Sequence, residues 1–289
     1  MKLKEKPWTL ISFSISLLCL VHGNLSESPN SVPSSHFVLI HGSCHGAWSW
    51  YKIVALIKSS GNKVTSIDLA ASGIDPQQVN TLSSVSEYHR PLMDFMASLP
   101  PHEKVILVGH SLGGLAVSQA MERYPEKVKV SVFVTASMPG PSLNISTLNQ
   151  ESFRSAGSLM DSRYTYDNGT NNAPTTLILG PMLLKSRLYQ LSPIEDWTLA
   201  TTLVRPLRLF TEEDLSRKLV LTSEKYGSVR RVFIISEKDK LAKKDFVEWM
   251  IKRNPPNQVL EVLGSDHMVM MSKPRQLWVH LLKIAAKYH

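Results

Sequence analysis

A doubly wound, mostly parallel α/β sheet interrupted by a mainly helical cap is the fold this sequence predicts, and three observations predict it. Short apolar runs alternate with segments of helical length; the alternation fails once, from Gly140 to about Glu213; and it then resumes to the C-terminus. Runs of four to eight apolar residues bounded by turn formers read as strands buried on both faces, which is how a parallel sheet looks in sequence. Strand and helix in regular alternation then favour helices packed on both sides of that sheet.

The elements follow in order. His36–Ile40, Lys63–Leu69, Lys104–Gly109, Val128–Thr135, Val229–Ser236 and Val259–Leu263 are the predicted strands. Trp50–Ser59, Val85–Ser98, Gly113–Tyr124, Asp245–Lys252 and Pro274–Tyr288 are the predicted helices, the third stopped by Pro125, whose ring and missing N–H end a helix. Between Gly140 and Glu213 prolines and short amphipathic pieces replace the pattern, as an insertion over the sheet edge would. Phe153, Met160, Tyr164, Leu183, Leu184, Tyr189 and Trp197 could serve there either as an apolar lid or as the core of the cap itself. The organisation expected is a leader followed by one domain over residues 36–289.

The leader has its own logic. Lys2, Lys4 and Lys6 precede an apolar run from Trp8 to Val21, and Val21-His22-Gly23 offers small residues at a cleavage point. That is the layout of a secretory signal peptide over residues 1–23, with a polar leader over 24–35; the run is short for a membrane span. An uncleaved anchor or a spurious start is the alternative. Secretion would make the sequons at Asn24, Asn144 and Asn168 candidates for glycosylation; unmodified surface asparagine is the plainer reading.

Composition bounds the rest. The 289 residues are 43% hydrophobic and 19% charged, enough to bury a core and too apolar for wholesale disorder. A net charge of +8 lacks the density of a dedicated nucleic-acid binder. The cluster Arg230, Arg231, Lys238, Lys240, Lys243 and Lys244 has no aromatic interleaving, so it reads as a solvated basic face. Two cysteines, Cys19 and Cys44, exclude a disulfide framework and a cysteine-built zinc site.

Chemistry concentrates where apolar runs end. Val105–Val108 leads into Gly109-His110-Ser111-Leu112-Gly113, a G-x-S-x-G turn between a strand and a helix. Such a turn lifts the serine above the sheet at a helix N-terminus, where a nucleophile needs to stand and an oxyanion is favoured. A serine needs a base and the base an orienting carboxylate. His267 follows the strand Val259–Leu263 and Asp239 follows Val232–Ser236, so both fall at carboxyl edges beside Ser111. Glu237 and Asp245 remain alternative acids, while Asp266 is too near the histidine to orient it. After the first strand comes His41-Gly42-Ser43-Cys44-His45-Gly46, whose Ser43 N–H would join the Leu112 N–H as an oxyanion hole. His41 and His45 are expected to brace this loop rather than bind metal, since no third ligand stands at suitable spacing. Cys44 is expected to be a small buried side chain rather than a second nucleophile.

The blocks His36 to Trp48, Asp68 to Gly73, the Gly-His-Ser-Leu-Gly elbow, Lys225 to Val229 and Gly264 to Met268 together resemble the plant methylesterase and hydroxynitrile lyase family. The resemblance runs from about His36 to the C-terminus. It implies an α/β-hydrolase fold, with Ser111, Asp239 and His267 catalytic, and cleavage of methyl esters of small plant acids such as salicylate, jasmonate or indole acetate. No cofactor and no metal are implied; the partner is a small-molecule ester, and a homodimer is compatible with the resemblance. The lyases carry a lysine after the histidine, a threonine in the first loop and a glutamate before the serine. Here Met268, Gly42 and His110 stand there, which places Gly42 and Met268 at the substrate and points to the esterase branch. A lyase, or a non-catalytic receptor on the same fold, are the other readings. The family's usual setting is cytoplasmic, against which the apparent signal peptide stands.

Overall fold

The computed structural model describes residues 34–288. The expected signal peptide, all but the end of the polar leader, and Asn24 lie outside the described residues.

Six strands, β1 (His36–Ile40), β2 (Lys63–Ile67), β3 (Val105–His110), β4 (Val128–Val134), β8 (Arg231–Ser236) and β9 (Gln258–Val262), form one sheet in the order β2-β1-β3-β4-β8-β9. Every neighbouring pair is parallel, with Ile40 opposite Gly109 and Val134 opposite Ile234. All residues of β1 and β3 are buried, as unbroken apolar runs require of strands covered on both faces. Around the sheet pack α1 (Tyr51–Ser59), α2 (Val85–Ser98), α3 (Gly113–Arg123), α8 (Lys244–Arg253), the short α9 (Val269–Ser272) and α10 (Pro274–Lys287). From β1 the chain runs outward to β2 and then back across to β3, so the order reverses between β1 and β3. Such a reversal opens a crevice at the carboxyl ends of the two strands, and the loops that follow them meet there.

Several strand ends differ from the sequence reading by a residue or two, and for two of them the structure shows the reason. β2 stops at Ile67 because the Leu69 N–H leaves the ladder and donates to His41 Nε2 at 3.1 Å. β4 stops at Val134 because Thr135 turns into the left-handed region, at a φ of 40°.

Between β4 and β8 the chain leaves the sheet. The helices there are α4 (Ile145–Ala156), the one-turn α5 (Pro181–Leu183) running on into a π-turn at Leu184–Leu188, α6 (Ile194–Leu203) and α7 (Glu212–Lys218). Asn144 and Thr211 cap α4 and α7 by accepting from the N–H groups of Thr147 and Asp214. The cap also holds what the sequence did not announce, an antiparallel sheet of β5 (Arg163–Thr165), β6 (Thr176–Ile178) and β7 (Leu207–Arg208). Strands of two or three residues are too short to carry an alternation. Arg205 fastens this layer to the core: its guanidinium donates to the carbonyls of Gly73, Asp75 and Gln77, and its N–H to the carbonyl of Cys44.

Candidate active site

The turn from β3 into α3 is built by close approach. Ser111 has a φ of 52°, an unusual conformation for a residue with a side chain. It fits because the following helix packs tightly: a Cβ on Gly113 would lie 2.4 Å from the His41 carbonyl oxygen, and one on Gly114 2.0 Å from that of Ser137. Glycines there let the helix N-terminus press against the loops after β1 and β4, which leaves Ser111 raised between them.

His267 and Asp239 meet the serine in one hydrogen-bonded line. His267 Nε2 is 3.1 Å from Ser111 Oγ, and His267 Nδ1 is 2.7 Å from Asp239 Oδ2. The carboxylate only accepts, so Nδ1 carries the proton and Nε2 is left to accept from the serine hydroxyl. Both side chains are almost wholly buried, the His267 side chain 2% exposed and that of Asp239 3%. Asp239 is further held by Thr135 Oγ at 2.6 Å and by the N–H groups of Leu241 and Ala242 at 2.8 and 2.9 Å. Thr135 is a residue that sequence reasoning missed; its signal was a hydroxyl at the end of the strand beside the one that leads to the acid. In such a line the imidazole takes the Oγ proton as the oxygen attacks, and the carboxylate stabilises the imidazolium.

The other carboxylates are occupied elsewhere. Glu237 accepts from the Gly264 N–H at 2.6 Å and pairs with Lys238, and Asp245 is exposed in the first turn of α8. Asp266 is buried and accepts from the Leu191 N–H and the Ser192 hydroxyl, both at 2.9 Å; burial pushes its carboxyl above the usual range.

Ser43, Leu112 and Gly42 line a cavity of about 200 Å³ that opens on Ser111. Its walls are largely apolar, with Leu115, Leu179, Phe210, Phe246 and Met250 among them. Of the cap side chains singled out in the sequence, Phe153 lines this cavity, whereas Leu183 and Leu184 are buried within the cap and Tyr189 faces His45. Met268 is corrected as well. It is fully buried and does not line the cavity; its N–H donates to the Leu188 carbonyl, so it packs beneath the histidine loop. A side chain at position 42 would be crowded, since a Cβ there would lie 2.8 Å from Ser111 Cβ and 3.0 Å from His110 Nδ1.

Four further histidine and cysteine side chains surround the line. His41 Nδ1 donates to the Gly42 carbonyl at 2.8 Å, and His45 Nδ1 to the Ser43 carbonyl at 2.7 Å. His110 Nε2 donates to the His267 carbonyl at 2.9 Å, bracing the loop that carries the base. Burial holds all three imidazoles below the usual histidine range, His110 well below it. The Cys44 thiol is pushed up to about 12 by burial, which keeps it protonated and unreactive.

These neutral imidazoles make stability depend on acid. Burial pushes both His45 and His89, which also lines the cavity, down to about 4, while an unfolded histidine takes its proton near 6.5. Between those values the unfolded chain binds more protons, so the stabilisation is complete above pH 6.5 and is lost as the pH falls towards 4. Each of the two imidazoles contributes on the order of 3 kcal/mol across that window. Urea unfolding at pH 7.5 and at pH 4.5 should therefore show a clearly lower midpoint in acid; equal midpoints would contradict the assignment of these rings as neutral.

Comparison with known proteins agrees with this architecture. A model of the alpha/beta hydrolase family matches residues 37–280. Methyl jasmonate esterase 1 of Vitis vinifera is 54% identical over 254 residues, covering 88% of this chain and 97% of that protein. Tomato methylketone synthase I, solved with 2-tridecanone, superposes with a TM-score of 0.86 at 54% identity, over 89% of this chain and 99% of that one. Polyneuridine aldehyde esterase superposes with a TM-score of 0.83 at 39% identity, over 87% and 99%. With the sheet order, the elbow after β3 and a family match over most of its length, this chain belongs to the α/β-hydrolase family.

Proposed function

We propose that the protein is a serine carboxylesterase that hydrolyses methyl esters of small plant acids. The observation that carries this reading is the Ser111–His267–Asp239 line opening onto an apolar cavity. The 54% identity with a methyl jasmonate esterase supports the substrate class. In this reading the acyl group lies among the apolar cavity walls with its carbonyl carbon above Ser111 Oγ. His267 Nε2 takes the serine proton as Oγ attacks, and Asp239 stabilises the imidazolium. The N–H groups of Ser43 and Leu112 bind the tetrahedral oxyanion. His267 then gives its proton to the departing methoxide; methanol leaves, and the same imidazole deprotonates the water that frees the acid.

The test is turnover by purified protein of methyl jasmonate, methyl salicylate and methyl indole acetate, followed by methanol release. Mandelonitrile and β-ketoheptanoate, the second of which was solved bound to a variant of the tomato protein, serve as competitors. Hydrolysis of at least one ester is expected; turnover of a competitor with every ester untouched would overturn the reading, as would tight binding of an acid with no hydrolysis of its ester. We also propose that the chain enters the secretory pathway, in which case Asn144 and Asn168, both exposed, are accessible to glycosylation. N-terminal sequencing and a glycosidase shift after expression in a plant host check it, and an intact Met1 with no shift would refute it.

A further inference from the structure

A short stretch of the cap, residues 188–192, is bonded to each loop that brings a functional group to Ser111. The Leu188 carbonyl accepts from the Met268 N–H, and Leu191 and Ser192 donate to Asp266, so both neighbours of His267 are held. Gln190 Nε2 donates to the Lys238 carbonyl at 2.8 Å, next to Asp239. Tyr189 reaches the loop after β1, with its hydroxyl 2.7 Å from His45 Nε2 and its ring stacked on the imidazole at 5.9 Å.

The last contact has a definite proton arrangement. The Ser43 carbonyl can only accept, so His45 Nδ1 carries hydrogen; the ring is neutral, so Nε2 is bare and the Tyr189 hydroxyl donates to it. His45 also donates its backbone N–H to the Gly42 carbonyl at 3.3 Å, where His41 Nδ1–H donates too. Both peptide planes flanking Ser43 are therefore pinned. In a trans peptide the N–H points opposite to the C=O, so anchoring the Gly42 carbonyl fixes the direction of the Ser43 N–H. Should His45 take its other tautomer, Nδ1 would present a lone pair to the Ser43 carbonyl; the Ser43–Cys44 plane would turn, carrying with it the His45 backbone N–H that anchors the Gly42 carbonyl and so releasing the plane that holds the Ser43 N–H. The hydroxyl of Tyr189 is what selects against it.

We infer that Tyr189 is a positioning residue: by fixing the tautomer of His45, it holds the Ser43 N–H in place for the oxyanion. Tyr189 does not line the cavity, so its effect reaches the reaction through the loop and not through substrate contact. The inference rests on the hydrolase reading above, and it makes the cap part of the apparatus that stabilises charge rather than a lid alone.

Tyr189→Phe removes one hydroxyl and keeps the stacked ring. For the best methyl ester its kcat should fall roughly 10- to 100-fold, with KM within about twofold, because a displaced oxyanion donor costs transition-state binding alone. Affinity for an alkyl trifluoromethyl ketone, which adds to the serine and leaves an oxyanion, should fall in proportion, while affinity for the product acid stays unchanged. Combining Tyr189→Phe with His45→Ala should cost no more than His45→Ala alone. His45→Asn, whose amide can donate from the Nδ1 position, should retain more activity than His45→Ala even if Tyr189→Phe fails to fold. Unchanged kcat, unchanged ketone affinity, additive losses, or equal activity of the two His45 variants would each overturn the inference. If the wild-type protein turns over no ester and a fluorophosphonate leaves Ser111 unlabelled, the hydrolase reading falls and takes this one with it. Wild-type turnover matched by Tyr189→Phe defeats only the role of Tyr189.

Discussion

Ser111→Ala is expected to lower kcat for methyl-ester hydrolysis by roughly 10⁴-fold or more, the largest loss any single substitution in this chain should produce. The change removes Oγ and with it the hydrogen bond to His267 Nε2. The backbone conformation of position 111 stays as it is, because alanine meets the same steric cost at a φ of 52° as serine does. Thermal unfolding should therefore move little. The cavity and the N–H groups of Ser43 and Leu112 also remain, so the variant should bind the product acid as the wild type does while losing turnover. Isothermal titration with the acid, run beside a methanol-release assay, separates the two effects. Activity within tenfold of wild type would mean that Ser111 is not the nucleophile.

Asp239→Asn should come close behind, with kcat lower by about 10⁴-fold and KM nearly unchanged. The reason lies in the four donors that surround the carboxylate. Thr135 and His267 share Oδ2, and the N–H groups of Leu241 and Ala242 share Oδ1. An asparagine has one oxygen and one NH₂ to offer these four. Turning the NH₂ towards Leu241 and Ala242 would face it with two backbone N–H groups that cannot accept. Turning it towards Thr135 and His267 is cheaper, since the threonine hydroxyl can rotate to accept. His267 must then accept at Nδ1 and carry its hydrogen on Nε2, pointing a donor at Ser111 where an acceptor is needed. A pH-rate profile and a kcat measurement on this variant check the argument; near-normal turnover would show that Glu237 or another acid orients the imidazole.

What could be read from the sequence is what depends on chain order. Ser111, Asp239 and His267 each follow an apolar run by a few residues, and a parallel sheet carries the ends of all such runs to one edge. The edge was therefore legible before any contact was known. The hydroxyl of Thr135 on Asp239 and that of Tyr189 on His45 were not legible, because they join residues 104 and 144 positions apart through tertiary packing with no local pattern. The cap sheet escaped notice for the opposite reason: its strands are shorter than the period that would reveal them. Met268 shows how position beside a functional residue misleads. It follows His267 directly, yet the turn into α9 directs it into the core.

The order of the strands bears on how the molecule comes into being on the ribosome. β1 to β4 and the serine elbow are made first and can pair among themselves, whereas β8 and β9 must wait for the whole cap to be synthesised before they add to the sheet at β4. On the proposed mechanism, a nascent or truncated chain that ends within the cap holds a serine with neither base nor acid, and so should carry no hydrolytic power to spend on bystander esters. Pairings this distant in sequence form late and lengthen the time that the edge of β4 stands open. Turnover by this protein is consequently a report on its last fifty or so residues, and loss of activity on storage or in C-terminal variants should track detachment of β8 and β9 before the older half of the sheet is disturbed.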